Sequence, residues 1–434
     1  MIIKKKVVGG HKIILIIFFF YLFILNSLNA SQILDYETES FINSVLEDIK
    51  KVNSINKEIN FIIINDDSIN AYVNEKNIIF ITSGLIENCK DYVAFLSVLA
   101  HEVGHIDKNH VSQRKLNINK LNQVNKFSNL SIIAGSLLSK NPELIQGIAL
   151  SSASSSNYYI NFTKDQEREA DYYSLKTLSK LNLYSNSIIE LLELIEKKSL
   201  EKGITKDKMK ISTHPYFEER IDIINYLNQN NSNKLNIEKN YKFNFIKAKF
   251  LGFGEKKEAI KFIDEPFKSY AFSIIDAKEG KLQNSMKKIN KLILNNINNI
   301  YLLETKADIL FSYGYTNEAV KFYKKVISYY ENNYYSQIRI LENTDIEILK
   351  KKEREIFFKK NLNLLQKFYN NKNILIIYLN LAKNTQKTEW EKFLSYWINK
   401  NDDVENIKKV LEKFKDTKDK DLFNIVNLIY NDIL

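Results

Sequence analysis

The sequence predicts two architectures in series, an α+β domain followed by an all-α, repeat-built half. Three observations carry that expectation. An apolar run, Ile78 to Thr82, reads as a strand, and directly after it Phe95, Leu96, Leu99 and Val103 recur at helical spacing behind Asp91, a natural N-cap. From about residue 245 strand-like segments give way to helical periodicity. Within that half Gly280 and Gly314 stand 34 residues apart, the period of a helix-pair repeat.

The N-terminus has the three-part form of an export signal. Lys4, Lys5, Lys6 and Lys12 precede an apolar run from Ile13 to Leu25, and Ser27-Leu28-Asn29-Ala30 offers a cleavage site. The expectation is a signal peptide over 1–30 and a periplasmic mature chain. Retention as an inner-membrane anchor stays open, because Val7 and Val8 lengthen the run and Leu28 is an imperfect residue before the cut. A single cysteine, Cys89, excludes an intramolecular disulfide and leaves none beside the signal to accept lipid. The net charge of +11 comes from lysines spread along the chain, so no nucleic-acid partner is expected.

The most informative stretch is His101-Glu102-Val103-Gly104-His105. Positions i and i+4 share one helix face, so both imidazoles can reach one metal ion, and Glu102 beside them can serve as general base toward water. The alternative is two ordinary polar positions on an amphipathic helix. A third ligand is offered by Glu167 in Asp165-Gln166-Glu167-Arg168-Glu169-Ala170-Asp171, where Glu167 and Asp171 are again i, i+4. One carboxylate can then bind metal while the other holds a ligand histidine through its second ring nitrogen. Taken alone, that segment also reads as a solvated helix start. If the first helix simply continues, His110 lies about 140° and 180° around its axis from His105 and His101, and it is left out of the ligand set.

A further element is Ser212-Thr213-His214-Pro215, followed by Glu219-Arg220. His-Glu-x-x-His, then Glu-x-x-Ala-Asp, then Thr-His-Pro with an arginine six residues after the histidine, together resemble the gluzincin metallopeptidases of the BepA and HtpX type. The resemblance extends upstream to Ser68-Ile69-Asn70-Ala71-Tyr72 and to Ile78 through Leu85, covering roughly residues 35 to 225. It is nearest to the periplasmic branch with C-terminal tetratricopeptide repeats. Val73-Asn74-Glu75-Lys76 stands where relatives often carry glycines, which puts the local turn in question.

The resemblance implies one zinc ion per chain held by His101, His105 and Glu167, with Glu102 as general base and Asp171 supporting a ligand histidine. It also makes Arg220 a transition-state contact and His214 a regulatory fourth ligand. The residues alone leave Arg220 open as a surface salt bridge with Glu219, and His214 as a turn residue before Pro215. The fold class it implies is an α+β zincin-like metallopeptidase domain over 31–240, followed by an all-α tetratricopeptide-repeat solenoid over 245–434. Its small sheet would present Ile78 to Thr82 as the edge strand along which an extended substrate lies.

Between the two motifs, the apolar segment Leu130 to Leu138 and the serine-rich run Ser151 to Ser156 could gate a cleft or form a core helix and loop. In the second half, Gly314 through Tyr323 has the small residue Ala319 five after its glycine, Gly280 has Ser285, and Gly254 through Phe262 reads as a third copy. A generic helical bundle is the alternative. The function expected is a zinc-dependent endopeptidase of the cell envelope that degrades misfolded or misassembled outer-membrane proteins and docks through its repeats on the β-barrel assembly machinery. A periplasmic chaperone or assembly factor whose protease is held inactive is the alternative.

Overall fold

The computed structural model describes residues 32–113, 164–203, 220–221, 224 and 235–343, with 75, 185 and 202 excepted. The expected signal peptide, the gating segment between the two motifs, His214 and the helices expected after 343 lie outside the described residues. Contacts divide the chain into two compact units, one holding Thr38–Leu251 and the other Asp35–Glu37 with the residues from Gly252 on. Among the described residues, no helix is long and apolar enough to cross a membrane.

The first unit opens with α1 (Tyr36–Asn53), which buries Phe41, Ile42, Val45, Leu46 and Ile49 at helical spacing. Three strands follow, β1 (Asn60–Ile64), β2 (Ala71–Val73) and β3 (Ile78–Thr82). Their order is β1-β3-β2, with β1 parallel to β3 in the register Ile62↔Phe80 and β2 antiparallel in the register Tyr72↔Phe80. The edge position expected for Ile78–Thr82 is therefore wrong, because β3 is hydrogen-bonded on both sides and is the central strand. Its burial alternates over Ile78–Ile81, but a period of two reports faces and carries no information about lateral neighbours.

The turn from β2 to β3 is built by asparagines. Asn74 Oδ1 accepts from the backbone N–H groups of Lys76 at 2.9 Å and Ile78 at 3.0 Å, and Asn77 takes a φ of 57°. Asparagine tolerates the left-handed region and can cap its own turn, so the hairpin closes without glycine. Beyond β3, Thr82 caps α2 (Ser83–Asn88) by accepting from Leu85 N–H, and its Oγ1 lies 2.6 Å from the Ser68 carbonyl oxygen. A Cβ on Gly84 would sit 2.3 Å from that same oxygen. The loop over 66–70 thus packs directly on a position that only glycine can fill.

Helix α3 (Tyr92–Asp107) starts at Asp91, whose Oδ1 accepts from Val93 N–H at 3.0 Å and Ala94 N–H at 2.9 Å. Its other carboxylate oxygen accepts from the Tyr184 and Ser187 hydroxyls. Phe95, Leu96, Leu99 and Val103 are fully buried, as their spacing predicts. The helix ends at Asp107, and Asn109 with φ 57° reverses the chain. Helix α4 (Lys164–Lys180) packs along α3. At their contact a Cβ on Gly104 would lie 3.1 Å from Tyr173 Cβ and 3.3 Å from Ala170 Cα, so two small residues set a close approach. Helix α5 (Asn186–Glu201) and the larger part of α6 (Ile237–Phe253) close the core, Phe243 packing against Phe41 and Phe95.

The second unit is helical throughout its described length. After the short α7 (Lys257–Ile260) come α8 (Phe267–Lys278) and α9 (Leu282–Asn295), then α10 (Tyr301–Ser312), α11 (Thr316–Tyr329) and α12 (Tyr334–Glu342). Gly280 turns α8 into α9 at φ 80°, and Gly314 turns α10 into α11 at φ 83°. Ser285 and Ala319, each five residues after its glycine, are fully buried where the paired helices meet. The third copy departs from this pattern. Glu255 rather than Gly254 takes the positive φ, α7 has only four residues, and Phe262 is 87% exposed. Pro266, the N-cap of α8, also biases Glu265 away from helix.

Candidate metal centre

One turn of α3 separates His101 from His105, which places both imidazoles on the side that faces α4. Glu167, in the first turn of α4, meets them there. His101 Nε2 lies 3.1 Å from His105 Nε2 and 3.5 Å from Glu167 Oε2, while His105 Nε2 lies 3.4 Å from Glu167 Oε1. All three side chains are buried, and they form the group of donors able to hold a metal ion among the described residues.

The fit of zinc can be judged from these edges. Four ligands about 2.1 Å from a tetrahedral ion stand about 3.4 Å apart. The three observed separations bracket that value, and the donor chemistry is two neutral-capable imidazoles with one carboxylate. Three protein ligands leave one position for water or substrate, the pattern of a catalytic rather than a structural site.

Each histidine is held from behind. Asp171, one turn beyond Glu167 on α4, accepts from His101 Nδ1 at 2.8 Å. Arg220 grips the same carboxylate through Nε and Nη2, and its Nη1 lies 3.9 Å from Glu167 Oε2. Burial alone would raise the Asp171 pKa, but the Arg220 charge and the His101 hydrogen bond outweigh it and hold the carboxyl below its usual value. For His101, burial and Arg220 oppose a proton, yet Asp171 and Glu167 leave it above the ordinary histidine value. Burial pushes His105 down to about 4.

The residues singled out by sequence fall as follows. His101, His105, Glu167 and Asp171 converge, and Glu102 sits buried between the two histidines on α3. Arg220 is not a surface residue: its side chain is 11% exposed and bound to Asp171. His214 lies outside the described residues. Sequence reasoning missed the surroundings of His105. Its Nδ1 lies 2.9 Å from His110 Nδ1, and His110 Nε2 lies 3.0 Å from Glu169 Oε2. His110 remains outside the donor triangle, but it does not point away, because the helix stops short of it and Asn109 folds it back under His105. An Asn immediately before a histidine, just past a helix of known length, is the one signal that could have suggested the reversal.

The sequence profile of Peptidase family M48 matches residues 36–228. A Beta-barrel assembly-enhancing protease of Yersinia pestis is 22% identical over 303 residues, covering 66% of this chain and 61% of its own. The protein of the same name from Escherichia coli strain K12 is 22% identical over 306 residues, 67% of this chain and 62% of its own. A Vibrio cholerae protein provisionally given that name is 26% identical over 176 residues, 40% of this chain and 35% of its own. This chain therefore spans between 35% and 62% of the length of these relatives. The matched segment contains both donor-bearing helices and Arg220, and over residues 36–228 this chain is similar to Peptidase family M48.

Proposed function

We propose that the chain is a zinc-dependent endopeptidase of the cell envelope, exported by its N-terminal segment, that acts on unfolded or misassembled outer-membrane proteins. The observation that carries this reading is the convergence of His101, His105 and Glu167 with Asp171 locked behind His101. The relatives' name, Beta-barrel assembly-enhancing protease, supplies the link to β-barrel assembly. The helical unit after Gly252 is assigned the docking role, its Gly280 and Gly314 turns being those of paired helices.

A zinc ion bound by the three donors supplies Lewis acidity toward a carbonyl and lowers the pKa of water. His101, His105 and Glu167 hold it, while Asp171 keeps Nδ1 of His101 protonated and so leaves Nε2 as the ligand atom. Glu102 takes the proton of the attacking water, whose oxygen bonds to the scissile carbonyl carbon, and returns a proton to the nitrogen as the C–N bond breaks. Arg220 orients Asp171, and its Nη1 faces the ligand carboxylate. His214 is assigned as a fourth ligand that blocks the site reversibly.

The experiment is metal analysis and casein digestion on purified wild type, Glu102→Gln and His214→Ala. Glu102→Gln should retain zinc and lose digestion by at least about 100-fold. His214→Ala should retain zinc and digest faster. Zinc-free wild type, or undiminished digestion by Glu102→Gln, would sink the reading. A second reading draws on the word assembly in the relatives' names: an assembly factor whose client maturation survives Glu102→Gln.

A further inference from the structure

His110 belongs to no donor set, yet it is 1% exposed and its ring lies edge-on to the ligand His105, centroids 5.1 Å apart. The proton positions along this contact follow from chemistry. A metal takes the lone pair at His105 Nε2, so the His105 proton must sit on Nδ1. That N–H points at His110 Nδ1, 2.9 Å away, which must then be a bare acceptor. The His110 proton is thereby placed on Nε2, 3.0 Å from Glu169 Oε2, and an ionised carboxylate can only accept.

The opposite direction fails at its far end. If His110 Nδ1 donated to His105, the His105 proton would occupy Nε2 and close the ligand position. In a neutral His110, Nε2 would then be bare and face a carboxylate oxygen, two acceptors at 3.0 Å with no hydrogen between them. Glu169 thus sets the direction of the whole chain. Its side chain is 60% exposed, so the carboxylate that anchors this chain keeps its contact with water. His101 has the same arrangement in a shorter form, through Asp171 directly.

We infer that His110 is a positioning residue that relays the acceptor demand of Glu169 to His105 and so fixes Nε2 of His105 as the ligand nitrogen. Two local features make the relay possible. Asn109 at φ 57° turns the chain just past α3, and α4 carries Glu167, Glu169 and Asp171 within little more than one turn. One helix therefore supplies both a ligand and the anchors that orient the other two. The inference rests on the metal centre proposed above.

Its test has two arms on the full-length chain. In the metal-free wild type, nitrogen-15 NMR of the ring nitrogens should show His105 protonated at Nδ1 and His110 at Nε2. A competition titration of zinc against a chromophoric chelator should then show His110→Leu weakened about 10- to 100-fold. His110→Asn, whose amide oxygen takes the place of Nδ1, should recover most of that loss, and Glu169→Leu should mix the His105 tautomers. A wild-type His110 protonated at Nδ1 overturns the relay. So does a folded His110→Leu, verified by circular dichroism, that binds zinc within about twofold of wild type. Should His110→Leu fail to fold, the wild-type spectrum and the His110→Asn and Glu169→Leu variants decide. Wild type that binds no zinc in the titration removes the metal centre, while the tautomer pattern reads the relay by itself.

Discussion

Arg220 lies across the Asp171 carboxylate as a two-pronged clamp, Nη2 2.8 Å from Oδ1 and Nε 2.9 Å from Oδ2. The same Oδ1 accepts from His101, so the clamp sets the orientation of a proposed metal ligand that it touches only weakly, at 3.4 Å. Lysine cannot reproduce a planar fork. Arg220→Lys should weaken zinc binding by about tenfold in chelator competition. Asp171→Asn should cost more, about 3 kcal/mol by urea unfolding, because it leaves the Arg220 charge buried without its counter-charge. Equal stability of wild type and Asp171→Asn would show that the pair carries no structural weight.

The contact between α3 and α4 is tested at Gly104. Alanine there gains about 1 kcal/mol of helix propensity but meets Tyr173 Cβ at 3.1 Å, so the two effects nearly cancel. Valine adds branches that Tyr173 and Ala170 cannot yield to, and Gly104→Val should destabilise by about 2 kcal/mol. It should also lower zinc affinity, since the donors on α3 and α4 move apart. Thermal melting with and without a chelator separates the two losses. A Gly104→Val protein with unaltered zinc affinity would show that the approach of the helices does not set the donor spacing.

Asp91 joins three segments at one carboxylate. Its Oδ1 caps α3, and Oδ2 accepts from the Tyr184 and Ser187 hydroxyls around the start of α5. Loss of the cap costs about 1 kcal/mol, and each buried hydroxyl left without its acceptor about 1 more. Asp91→Ala should therefore lower the unfolding free energy by about 3 kcal/mol in a urea titration. A loss near that of the cap alone would mean that the hydroxyls find other acceptors.

Cys89 is fully buried, and burial drives its thiol pKa far above the ordinary cysteine value despite the opposing charge of Lys247. The thiolate is the reactive form, so the native protein should not consume a thiol reagent on the timescale of minutes. Raising the pH to about 9 should leave that unchanged, because the folded-state pKa lies above it while an exposed cysteine would be half ionised. Reaction should begin only as urea unfolds the chain. Rapid labelling of the native protein would place Cys89 at a surface.

Much of the site is legible in the sequence because its donors obey helical spacing. His101 with His105, and Glu167 with Asp171, are each one turn apart, and both lie on helices where a period of 3.6 maps sequence distance directly onto direction in space. What the sequence does not carry is anything decided between elements. Whether Ile78–Thr82 is an edge or a centre depends on which strands pair beside it, and Ala71–Val73, three residues long, gives almost no signal of its own. His110 was assigned a direction by extending a helix that stops short of it, and one backbone reversal at Asn109 changed the answer. The glycines at 280 and 314 are readable because each turn needs a positive φ, whereas in the similar run at 254 the positive φ falls on Glu255 and the helix after it has only four residues.

In the proposed function, the division of the donors between α3 and α4 has a consequence for when cleavage can begin. Neither segment alone would retain an ion tightly, so a newly made or unravelled chain would be chemically silent. Competence to cut would arrive only with tertiary docking, which would make correct folding the first activation step and denaturation its reversal.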